Sequence, residues 1–71
     1  MSIFSVLSNS DLPGDVRDFL NSSRGREVAN DFERRADSYG SEEHQAMQDA
    51  KTYGRKQAAI DCVTRFVRAR M

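Results

Sequence analysis

A chain of 71 residues is a single domain, and with 38% apolar and 31% charged residues it has the balance of a folded helical protein, not a disordered one. One cysteine, Cys62, excludes a disulfide within the chain; one Cys with one His, Cys62 and His44, excludes a tetrahedral zinc site from a single copy; and no apolar run approaches the roughly 20 residues that span a bilayer. The zero net charge conceals an acidic body and a basic end: residues 1 to 50 hold five Arg against ten Asp and Glu, a net of −5, and residues 51 to 71 hold six Lys and Arg against Asp61, a net of +5.

The opening residues, Ile3, Phe4, Val6 and Leu7 among serines, fit either a short strand or one helical turn, so 1–9 reads as an N-terminal arm that is extended or lies across a helix. A short helix is expected over 11–21. Ser10 or Asp11 can cap it, Pro13 suits its first turn, Asp15 sits near the positive end of its dipole, and Val16, Phe19 and Leu20 form one apolar face. Ser22 or Ser23 can cap a second helix over 23–39, where Val28, Ala29, Phe32, Ala36 and Tyr39 make an apolar stripe and Asp31 and Arg35 stand as an i, i+4 pair on the outside. Gly40 ends it, and Ser41 can cap a third helix over 41–70 with Glu42 and Glu43 in its first turn. Gly54 is the weak point of that last run and is read as a bend or a close crossing, not a chain break. The segments ADSYG and AKTYG share A-x-[ST]-Y-G at a spacing of fourteen, which without a third copy does not make a repeat.

The expected fold is therefore all-α: a small three-helix domain with a short helix and an antiparallel hairpin whose C-terminal helix is long. At 1.5 Å per residue that last helix would reach about 45 Å and the second only about 22 Å, so the second covers half of it. In the covered half Ala46, Met47, Ala50 and Tyr53 lie within an arc of about 120°; past Ala58 the arc widens to about 180° and takes in Ala59, Ile60, Cys62, Val63, Phe66 and Val67. A face that wide needs two neighbours.

A domain this small gains only a few kcal/mol net from one core. The second neighbour is accordingly expected to be another copy or a foreign protein, with Ala59, Ile60, Val63, Phe66 and Val67 as the protein interface. Function follows as a non-enzymatic interaction module, a small regulator or inhibitor that occupies a partner's surface as a homo-oligomer; a structural subunit of a larger assembly is the first alternative. The second is nucleic-acid binding through Lys51, Arg55, Arg65 and Arg68 on the C-terminal helix. Against it, Lys56 and Arg70 point away from that face, and both tyrosines are expected inside apolar stripes, leaving no stacking platform. His44 reads as a surface residue of a first helical turn and Cys62 as a small buried apolar side chain. SRGRE at 23–27 is too short to signal RNA binding. No catalytic group, metal or cofactor is expected, nor membrane insertion. The first eight residues, without a basic residue or a long apolar stretch, lead to the expectation of a cytoplasmic protein.

Overall fold

The computed structural model describes residues 3–71, and the arm's first two residues lie outside it. All regular structure among the described residues is helical. A 3-10 turn at Ile3–Ser5 and another at Asn9–Asp11 precede α1 (Gly14–Leu20), α2 (Ser23–Ala36), α3 (Glu42–Lys51) and α4 (Lys56–Arg68). The N-terminal segment is thus a helical turn and not a strand. Its Ile3 and Leu7 are buried, and the Phe4 ring meets Phe32 edge-on with centroids 6.0 Å apart.

The expected caps are partly realised. Ser22 Oγ accepts from the Gly25 amide at 3.0 Å and Ser41 Oγ from the His44 amide at 3.0 Å, each supplying a partner for an orphan donor of a first turn. At α1 neither Ser10 nor Asp11 caps; Pro13 occupies the N-cap position without a side-chain bond. Asp11 instead accepts from the Ser8 amide at 2.9 Å and pairs with Lys56 Nζ at 2.9 Å, tying the N-terminal segment to the start of α4.

Gly25 explains how α1 and α2 meet. A Cβ there would overlap the Phe19 carbonyl oxygen and lie 2.5 Å from Leu20 Cα, so the first turn of α2 lies on the last turn of α1 with only a hydrogen between them.

The single long C-terminal helix does not form. Thr52 closes α3, Gly54 takes φ +66°, and α4 starts at Lys56 without a side-chain cap. The Arg55 amide donates to the Asp49 carbonyl at 2.7 Å, satisfying one of the orphan acceptors that ending α3 creates. The two segments then lie antiparallel: Cys62 Sγ is 3.8 Å from the Glu42 carbonyl, while Arg55 Nη1 is 3.6 Å from Asp49 Oδ1 near the turn. The molecule measures 28 × 23 × 20 Å, too short for a 45 Å rod. Four α-helices replace three because the C-terminal segment folds back to be covered.

One core joins the first 3-10 turn and the four α-helices: Ile3, Leu7, Leu12, Val16, Val28, Phe32, Ala46, Ala59, Ile60, Cys62, Val63, Phe66 and Val67. The A-x-[ST]-Y-G echo acquires a local meaning. Ala36 ends α2 and Ala50 lies in the last turn of α3, and in both the glycine has positive φ, +87° at Gly40 and +66° at Gly54. The tyrosines lie past the helix ends, so Tyr39 is 90% and Tyr53 58% exposed, where the apolar-stripe reading had placed them inside.

Candidate functional site

The wide apolar face of the C-terminal segment is real, but its own chain covers it. Ala59, Val63 and Val67 have no exposure, and Ile60 and Phe66 retain 9% each. The expected interface residues are therefore core, a correction with a simple cause: breaking the rod at Gly54 lets α3 serve as the neighbour that α4 lacked. Phe66 shows how completely the face is closed. Phe32 meets it edge-on from α2 at 5.0 Å between centroids, and the Arg70 guanidinium lies over its ring at 3.5 Å from the centroid. Arg70 also donates to the Phe66 carbonyl at 3.0 Å and stands 3.9 Å from Asp31.

The basic end is spent largely on the acidic body. Arg68 reaches both Asp15 oxygens at 3.1 Å in a two-pronged pair that links α4 to the first turn of α1. This hydrogen-bonded guanidinium holds the Asp15 carboxyl below its ordinary value, and Asp15 in turn raises the Arg68 guanidinium. Lys56 likewise lowers Asp11 through its hydrogen bond. At Asp31 burial works upward, but the hydrogen bonds and charges of Arg34 and Arg35 outweigh it and the group is lowered. The i, i+4 pair read from the sequence is present, with Arg35 Nε 3.4 Å from Asp31 Oδ2.

Of the four basic residues assigned to nucleic acid, Arg68 is held by Asp15 and Arg55 by Asp49, with its guanidinium also 5.1 Å from the Tyr53 ring centroid. Arg65 lines the α3–α4 groove beside Glu42 and Cys62, and Lys51 is exposed in the last turn of α3. Lys51 and Arg55 sit at the α3–α4 turn, while Arg68 lies about 20 Å farther along α4. The structure does not bring the four into one patch.

Two grooves remain. The one between α3 and α4, about 320 Å³, is lined by Glu42, Gln45, Ala46, Asp49, Ala58, Asp61, Cys62 and Arg65. Its carboxylates do not converge on a cation: among the described residues no group of three or more His, Cys, Asp or Glu could hold a metal ion. Burial pushes the Cys62 thiol up, with Arg65 opposing and Glu43 and Glu42 assisting, so it stays a neutral, poorly nucleophilic side chain. The other groove, about 260 Å³, lies between the N-terminal segment, α1 and α2; Phe4, Leu7, Leu12, Leu20 and Ala29 line it with Asn21 and Glu33. Phe4, Leu20 and Ala29 are only half-buried there.

The sequence reading missed this second groove because its walls come from three segments: Leu20 and Ala29 were assigned to the apolar faces of their own helices, while Phe4 and Leu7 lay in an arm whose structure the pattern did not decide. It also missed His44. Its Nδ1 lies 2.8 Å from the Ala36 carbonyl, and its ring lies 4.8 Å from that of Tyr39 between centroids, so the side chain closes the end of α2 and is half-buried. No helix among the described residues is long and apolar enough to cross a membrane. No protein-family model, curated protein or solved structure matches the chain.

Proposed function

We propose that this chain is a non-enzymatic binding module that docks a partner protein in the groove between its N-terminal segment, α1 and α2, acting as a small regulator or inhibitor does when it occupies a partner's surface. The observation that carries the reading is the lining of that groove: five apolar side chains against two polar ones, with Phe4, Leu20 and Ala29 only half-buried. Its volume of about 260 Å³ falls below the roughly 300–1,000 Å³ of pockets that enclose a small molecule, and suits one or two bulky apolar side chains offered by a protein segment. Asn21 and Glu33 are the polar residues of the lining.

This reading needs no second copy of the chain, because the side chains that motivated a homo-oligomer are covered within one molecule. Nucleic-acid binding draws less support, since Arg55 and Arg68 would have to abandon Asp49 and Asp15 to meet phosphates.

The test is selection from a displayed random-peptide library on the folded protein, followed by chemical-shift mapping. Enriched peptides sharing a large apolar residue are expected to perturb Phe4, Leu20 and Ala29. Ala29→Arg, which fills the groove with a good helix former, should weaken them at least tenfold, about 1.4 kcal/mol or more. Failure to enrich any peptide, or perturbations confined to the α3–α4 side, would refute the assignment.

A further inference from the structure

The segment A-x-[ST]-Y-G occurs at both ends of α3, and the two turns it makes are held differently. After Gly40 comes Ser41, whose hydroxyl caps α3 and lies 2.8 Å from the Arg35 carbonyl and 2.9 Å from that of Ser38, while His44 Nδ1 lies 2.8 Å from the Ala36 carbonyl. After Gly54 the equivalent position holds Arg55, whose side chain caps nothing. The first-turn amides of α4 are thus uncapped, and two basic residues, Arg55 and Lys56, stand at the positive end of its dipole with no acidic residue in that turn. Every residue from Lys51 to Ala58 is exposed, so the turn itself holds no core side chain.

With this turn straightened, α3 and α4 become one helix from Glu42 to Arg68, about 40 Å long at 1.5 Å per residue. The amides of Lys56, Gln57 and Ala58 then find acceptors four residues back, at Thr52, Tyr53 and Gly54, and the charges of Arg55 and Lys56 no longer face a dipole end. Ala46, Ala50, Tyr53, Ile60 and Val67 fall within an arc of about 100° on that helix.

We propose that this protein exchanges α4 between two copies, with Gly54 as the hinge, to form a closed two-fold dimer. Because α3 and α4 are antiparallel, a two-fold axis through the turn lays two straightened helices side by side and seats each α4 on the other copy's α1, α2 and α3. The contacts of the C-terminal segment survive the exchange because they reach residues ahead of the turn: Phe66 to Phe32, Arg68 to Asp15, Lys56 to Asp11 and Arg70 to Asp31. Only those of Arg55 with Asp49 and Tyr53 belong to the turn and are given up. Burial of α4 is therefore equal in both forms, and the turn is what weighs against the cost of bringing two chains together. Tyr53, 58% exposed in the single chain, lies at the axis where the two straightened helices meet. The occupant is a second copy and no foreign protein, since the surface left when α4 departs is complementary to α4 itself. The exchange does not rest on the groove assignment, whose residues all precede α3.

Refolding at rising protein concentration, followed by light scattering, tests it. The unmodified chain should give a species of twice 8.1 kDa when refolded concentrated and none when refolded dilute. A Cβ at Gly54 would meet no atom within 4 Å, so Gly54→Ala acts through φ +66° alone. It strains the turn and favours the straight helix, and should lower the dimer dissociation constant at least about 100-fold, about tenfold per chain. Lys56→Pro suits the first turn of α4 but breaks the straight helix, and should remain at 8.1 kDa throughout. In a dimer refolded from isotope-labelled and unlabelled chains together, nuclear Overhauser contacts between Phe32 and Phe66 should run from one chain to the other. A Gly54→Ala protein no more dimeric than its parent, a dimer of Lys56→Pro, or Phe32–Phe66 contacts confined to single chains would each overturn the exchange.

Discussion

Gly25 is the residue on which the α1–α2 crossing turns. Its environment asks for the absence of a side chain, not for an unusual backbone angle, since a Cβ would collide with the Phe19 carbonyl and the Leu20 backbone, which cannot step aside as a flexible side chain could. On helix propensity alone Gly25→Ala would gain about 1 kcal/mol. The collision outweighs this: overpacking against rigid backbone costs up to about 3 kcal/mol, for a net loss of about 2 kcal/mol and a fall in Tm of about 10 °C in thermal unfolding. A Tm equal to or above that of the parent would show that the two helices can separate at no cost. The sequence offered a signal here that the arginine-glycine reading of SRGRE passed over. A glycine in the first turn of a capped helix, directly after a two-residue connection, marks a close approach. His44 offered no such signal, because its acceptor, the Ala36 carbonyl, comes from a backbone end that any residue could present.

At the scale of the element, α4 shows how a correct count of apolar circumference led to the wrong neighbour. Ala59, Ile60, Cys62, Val63, Phe66 and Val67 do cover a wide arc, and all six are buried. Burying a Val, Ile or Phe side chain contributes about 1.5–3 kcal/mol each. Ending a helix costs a few hydrogen bonds at about 1 kcal/mol apiece, part of which the Arg55 amide recovers at Asp49. Gly54 adopts its φ of +66° without the penalty a Cβ would bring. Folding back therefore wins by a margin that local propensity does not contain. As an external interface Phe66 would have tolerated Phe66→Glu with helices intact; as core, between Phe32 and Arg70, it will not. The substitution should cost at least 3–5 kcal/mol, against a total of about 4–10 kcal/mol for a domain of this size, and the far-ultraviolet circular dichroism should lose much of its helical signal at 25 °C. Full helical content with a lower solution mass would restore the interface reading.

For the whole molecule, the separation of charge along the chain becomes a set of ties between its ends. Lys56 meets Asp11, Arg68 meets Asp15 and Arg70 approaches Asp31, so the basic last third is drawn onto the acidic first half. The three aspartates are lowered from their ordinary values. A carboxyl whose folded value is below its unfolded one stabilises fully above the unfolded value, near 3.9, and loses that contribution as pH falls through the folded value. Tm followed by circular dichroism should thus be level from neutral pH to about 5 and fall below about 4, and Asp15→Asn should make the fall shallower. An unchanged acid limb in that variant would mean that the Arg68 pair contributes nothing in solution. All three pairs are exposed enough that salt should weaken them.

Composition, periodicity and capping serines were sufficient to define an all-helical chain, the starts of α2 and α3, the Asp31–Arg35 pair and the apolar arc of α4, because each depends on residues within a few positions of one another. What covers that arc, why Gly25 is bare, where the arginines are spent and where an apolar groove remains open were decided only by tertiary structure. Those outcomes compare the burial available from distant segments with the local cost of ending a helix, and no window of the sequence holds both sides of that comparison.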